Sequence, residues 1–184
     1  MKRILSILAL ALALPSFGQP HSGNPLSGLE QLKDFESMRA SSSDPDWRNG
    51  NRDSRPIEPG GTLLLAELKG PGIITHFWNT INCPAPFSSR LLTLRIYWDG
   101  ETHPSVECPI GDFFGVGHGL DRPFVSLPIK VSSDGRGRNC YWPMPFRKSA
   151  RVEVTNESHQ RCNSFYYYLA WPKYKSLPKN TAYF

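Results

Sequence analysis

Asp44 and Asp53 flank Trp47 and Asn51 in the stretch SSSDPDWRNGNRDS, which has almost no apolar periodicity. An indole ring offers a flat face to C–H groups, while carboxylates and amides hydrogen-bond hydroxyls, so this composition suits the holding of a sugar. The same residues equally suit an Asx-rich turn that ties up its own backbone, and the spacing leaves both uses open. Cleaving a glycosidic bond requires two carboxyl groups, about 5–5.5 Å apart for retention or about 6.5–9.5 Å for inversion. The acids outside strand-like segments are Asp44, Asp46, Asp53, Asp99, Glu101, Asp112, Asp121 and Asp134. Asp99 is explained by the Asp99-Gly100 turn it opens, and Glu101 just beyond it is expected to be solvated.

Two further strings hold candidate contacts. GDFFGVGHG, residues 111–119, lacks both the G-x-x-x-x-G-K spacing and the helix of a phosphate loop, so no nucleotide cofactor is expected. Its glycines permit sharp turns anchored by Phe113 and Phe114, with Asp112 and His118 as polar contacts. His118 is an acid or base by type, but no Ser or Cys sits in a nucleophile elbow to use it. NCYWPMPF, residues 139–146, sets Tyr141, Trp142 and Phe146 around two prolines. Such a rigid aromatic group is core if buried, and a sugar platform or subunit contact if exposed. Arg136, Arg138, Arg147, Lys148 and Arg151 read as a solvated basic rim. The five histidines show no ligand spacing against Cys83, Cys108, Cys140 and Cys162, so no metal is expected. Those four cysteines either remain small buried thiols or pair in one of three connectivities.

The elements that must position these residues are short. Among 184 residues, 17 prolines and 15 glycines interrupt any long helix, and the apolar residues fall in brief runs between them, as a β-rich domain requires. Lys2, Arg3, the apolar run 4–14 and Ser16-Phe17-Gly18 form an export leader with cleavage expected after Gly18. The run falls short of the roughly 20 residues a bilayer needs, so neither a membrane partner nor a membrane span is expected. Removing Lys2 and Arg3 lowers the net charge of +5 to about +3, too little to argue for nucleic acid. Asn24 and Pro25 are placed to start a helix carrying Leu29, Leu32, Phe35 and Met38 on one face. Strands are expected from Thr62 onward. The clearest is LLTLRIYW before the Asp99-Gly100 turn, with others over 124–131, 141–146, 150–156 and 164–171. Seven or eight such strands describe a mainly β, jelly-roll-like two-sheet sandwich with one short N-terminal helix. The expected divisions are a signal peptide at 1–18, a helix and polar loop at 19–61, and the sandwich at 62–184. The aromatic end, Tyr183 and Phe184, reads as the lead-in to another element or as a tip docked on the domain's own surface.

The strings SSSDPDWRNGNRDS, LKGPGIITHFWNT, LRIYWDGETHPSVECPIGDFFGVGHG and GRGRNCYWPMPFRKSARVEVTNES resemble the N-terminal part of glycoside hydrolase family 172, in order from about Phe35 to Phe184. The resemblance implies a double jelly roll, of which this chain would be the first half, assembled as trimers or hexamers. It also implies a retaining hydrolase acting on fructofuranose- or arabinofuranose-containing glycans. Carried over by motif, the pocket contacts are Ser42, Asp44, Asn51, Asp53, Asp112, Phe114 and Trp142. Trp47 and Arg48 stand where related sequences have smaller residues. The family's two catalytic glutamates lie in G-E-G-D-D-like and G-T-E-D-Y-F-like segments, and neither string occurs here. The resemblance therefore makes the chain an exported, periplasmic or extracellular N-terminal part without the catalytic pair, inactive alone and a homo-oligomer when full length. The alternative is a non-catalytic carbohydrate-binding or assembly module.

Overall fold

The computed structural model describes residues 28–50 and 52–184. The expected leader, together with Asn24 and Pro25, lies outside the described residues. The described residues divide into two units at the boundary between Lys33 and Asp34. In the described part of the first, Gln31 N–H donates to the Gly28 carbonyl at 3.3 Å and Lys33 Nζ reaches the same oxygen.

The second unit contains thirteen strands: β1 (Glu36–Ser41), β2 (Arg55–Ile57), β3 (Thr62–Lys69), β4 (Gly72–Ile74), β5 (His76–Asn82), β6 (Leu92–Trp98), β7 (Val106–Pro109), β8 (Phe124–Val125), β9 (Ile129–Ser132), β10 (Gly137–Cys140), β11 (Met144–Phe146), β12 (Ser149–Asn156) and β13 (Cys162–Lys173). Two one-turn helices, α1 (Ser88–Leu91) and α2 (Ile110–Phe113), make a corner beside β6 and β7. The larger sheet runs β11-β4-β13-β5-β10-β9-β8, with β1 and β2 also paired to β13, and the smaller runs β3-β12-β6-β7. Every pairing is antiparallel. Alternation drives the assembly. Ala150, Val152 and Val154 face in from β12, and Phe165, Tyr167, Leu169 and Trp171 face in from β13. Two half-apolar sheets can bury those faces only against each other, which gives the jelly-roll-like sandwich.

Three expectations are corrected in detail. No helix forms between Gly28 and Ser41; its second half is β1, paired from Glu36↔Lys173 to Ser41↔Tyr168. The threefold apolar spacing loses because β13 offers a ladder of backbone partners, while Leu29 and Leu32 remain exposed and so bury no helix face. The sandwich consequently takes in residues before Thr62, since β1 and β2 both belong to it. The Asp99-Gly100 turn forms with positive φ at both residues, but pairing resumes only at Ile96↔Val106, so a longer loop follows the turn.

The C-terminal stretch lies on this unit's own surface. Arg147 donates to the carbonyls of Pro178, Lys179 and Thr181, and Phe184 meets Phe113 and Trp142 at ring separations of 6.2 and 6.1 Å.

Candidate functional site in the loop between the first two strands

Both flanks of the 42–54 loop are nailed to β13. Ser42 N–H donates to the Tyr167 carbonyl at 3.0 Å, and Ser42 Oγ accepts from Tyr167 N–H at 3.0 Å. At the far end Arg55 pairs with Phe165. Between these anchors the backbone is shaped by its own carboxylates. Asp44 Oδ1 accepts from Asp46 N–H at 2.9 Å, and its Oδ2 accepts from Asn49 Nδ2 at 3.2 Å. Asp46 caps a 3-10 turn, Trp47–Asn49, by accepting from Arg48 N–H, and Gly50 leaves that turn at φ 71°. The Asx-turn use anticipated for this stretch is therefore real.

These bonds fold the loop around a cleft of ≈ 260 Å³ lined by Ser43, Asp44, Asp46, Trp47, Arg52 and Asp53. Trp47 is 84% exposed, so its ring meets solvent beside the carboxylates rather than filling the core. Donation by the Asp46 backbone and by Asn49 holds the Asp44 carboxyl below its usual value, and Arg48 does the same for Asp46. Both are ionised acceptors at neutral pH. They can receive hydrogen bonds from hydroxyls but have no proton to give a leaving group, and Arg52 supplies the complementary donor.

The other expected contacts are dispersed. Ser42 is buried and spends its hydroxyl on Tyr167. Asn51 lies outside the described residues. Asp112 sits in α2, ion-paired to Arg90, with its second oxygen buried and unpartnered. Phe114 is fully enclosed against Phe77 and Phe113, which leaves no face for a ligand. Trp142 is half exposed, with Phe184 against it. Of the seven, Asp44 and Asp53 share the cleft. His118 is exposed at φ 62°, in the turn its glycine neighbours allow.

Two groups escaped the sequence reading. Arg138, read there as part of a solvated rim, is 2% exposed and donates to Asn79, Ser89 and Asp121 at 3.3, 2.7 and 2.8 Å. The available signal was alternation, because Arg138 stands two residues before inward-facing Cys140 on β10. The outer face of the larger sheet carries an aromatic row in which Tyr141 stacks on His76, Tyr168 on Trp78, and Arg39 lies over Tyr168. HFWNT and YYYL already encoded it by their twofold pattern.

The jelly-roll-like sandwich thus carries a loop cleft of carboxylates, a guanidinium and an open indole. The family model described as GH172 domain-like matches residues 49–167, and the chain belongs to that family. No curated protein matches the chain. The matched stretch includes Arg52, Asp53, Asp112, Phe114 and Trp142 and begins inside the cleft loop.

Proposed function

We propose that this chain is the N-terminal part of an exported glycoside hydrolase acting on fructofuranose- or arabinofuranose-containing glycans, with the 43–53 cleft as a wall of the sugar site. The observation that carries this reading is the exposed Trp47 ring set among carboxylates held ionised. In this reading Trp47 stacks on a furanose ring, Asp44, Asp46 and Asp53 accept from its hydroxyls, and Arg52 donates to ring or linkage oxygens. Asp44, Asp46 and Asp99 are all held below their usual values, the opposite of what a general acid needs. On the family resemblance, the acid/base and nucleophile are assigned to glutamates outside these residues, working by retention. Export rests on the leader ending at Gly18.

Calorimetric titration of the purified chain with fructo- and arabino-oligosaccharides tests the reading. Trp47→Ala is expected to weaken binding about tenfold, the worth of one stacked ring, while Trp142→Ala leaves it unchanged. No hydrolysis is expected. Absence of any binding, or turnover abolished by changing one acid of this chain, would overturn the reading.

A second reading, a non-catalytic assembly module, is favoured by the exposed apolar residues Leu120, Phe124, Val125 and Leu127 around β8. The two readings separate by whether binding or self-association survives when the cleft and this patch are altered independently.

A further inference from the structure

Cys83 follows the end of β5 and Cys162 begins β13, the strand paired alongside it. Phe77, Asn79 and Ile81 point inward from β5, opposite Leu169, Tyr167 and Phe165 of β13. Two residues further on, Cys83 turns to the same face and packs against the core. Its partner in unbroken register would be Asn163. Against β2, the register of β13 shifts between Cys162 and Phe165, and at that irregularity Asn163 is exposed while Cys162 is fully buried. Cys162 Sγ lies 3.8 Å from the carbonyl oxygen of Asn82, the residue preceding Cys83, which makes the two cysteine side chains neighbours on the core face.

We propose that Cys83 and Cys162 close into an intramolecular disulfide when the folded chain meets a low-molecular-weight disulfide oxidant. Cys83 is half-buried whereas Cys162 is fully buried, so Cys83 is the more accessible of the two residues. Its thiolate attacks the oxidant, forming a mixed disulfide and releasing one small thiol. Cys162 then loses its proton to water and attacks Cys83 Sγ, and the second small thiol leaves. Two protein thiols give up two protons and two electrons, and the oxidant's S–S bond is reduced to two thiols. Burial, reinforced by the neighbouring Cys83, pushes the Cys162 thiol up to about 12, so the second step is the slow one. The bridge joins the end of β5 to the start of β13 beside the Cys162↔Ile57 pair, on the strand where the cleft loop lands. Its persistence in a cell rests on the export proposed above; its formation in a test tube does not, so the two ideas fail separately.

The test incubates the purified chain with oxidised and reduced glutathione, caps remaining thiols by alkylation and digests with trypsin without reduction. Expected are the loss of two hydrogens in mass and a linked pair of peptides, 70–90 and 162–173, with the Cys108 and Cys140 peptides carrying the alkyl label. The oxidised chain should melt about 5–15 °C above the reduced one, and Cys83→Ser should abolish both the linked peptide and the shift. Full alkylation of Cys83 and Cys162 after oxidation, or linkage of either to Cys108 or Cys140, would overturn the proposal. The comparison of redox states uses the unaltered chain, so it stands even where the serine variant folds poorly.

Discussion

Asp99 illustrates how a turn residue becomes a stabilising one. Its Oδ1 accepts from the backbone N–H groups of Arg147, Lys148 and Ser149 at 2.9, 2.6 and 3.1 Å, and its Oδ2 accepts from the Tyr183 hydroxyl. Partial burial alone would raise its pKa, but these four donors outweigh it and hold the carboxyl below 3.8. A carboxyl depressed in the folded state binds its proton more readily when unfolded. Its stabilisation is therefore complete above 3.8 and is lost as pH falls through the lower folded value. Asp99→Ala should cost about 2 kcal/mol at neutral pH, measured by urea unfolding. Asp99→Asn keeps the turn and one acceptor, so it should lose less and should flatten the acid limb of the stability profile. An unchanged acid limb in Asp99→Asn would assign that limb to other groups. Trp47 shows the reverse economy, since a large ring left open to water adds nothing to the core and invites a partner.

At the scale of elements, β10 and the α1 corner are joined by a charge. Arg138 lies opposite Asn79 across β10 and β5, inside the sandwich, and its fork spans Asn79, Ser89 of α1 and the Asp121 carboxylate. Ser89 Oγ also donates to Asp121 at 2.6 Å, so one guanidinium organises three segments. Removing it strands the Asn79 side-chain oxygen inside the core, while Ser89 keeps its bond to Asp121 and Asp121 retains partial solvation, which places Arg138→Ala at about 3 kcal/mol of destabilisation. Arg138→Lys should recover little, because an ammonium lacks the planar fork. Equilibrium urea unfolding measures both; a loss under about 1 kcal/mol for the alanine variant would mean the network is dispensable. The same scale explains β1. Residues whose local spacing suggests a helix become a strand because the long β13 has an open flank, and six paired residues outweigh a weak helical preference.

For the sandwich as a whole, the two sheets bury their inner faces against each other, yet apolar side chains stay exposed around β8. Leu120, Phe124, Val125, Leu127 and Trp142 are exposed around β8 and the adjacent aromatic string, and the Leu127 side chain is 99% exposed. A surface of that kind favours self-association. Light scattering across a concentration series should show mass rising with concentration, and Val125→Glu with Leu127→Glu should suppress the rise. A monodisperse monomer throughout would remove that role for the patch. Alternation and turn chemistry in the sequence were enough for the β-sandwich, the strong strand β6, the Asp99-Gly100 turn and the polar loop, because each depends on neighbours two to four residues away. The gathering of Asp44 and Asp53 with Trp47 was foreshadowed by the same loop. Tertiary structure alone decided that Ser42 is an anchor, that Phe114 is core and that Cys83 lies beside Cys162. Each of those outcomes depends on which strand lies alongside and on where its register slips, and such long-range pairing leaves no trace in local spacing.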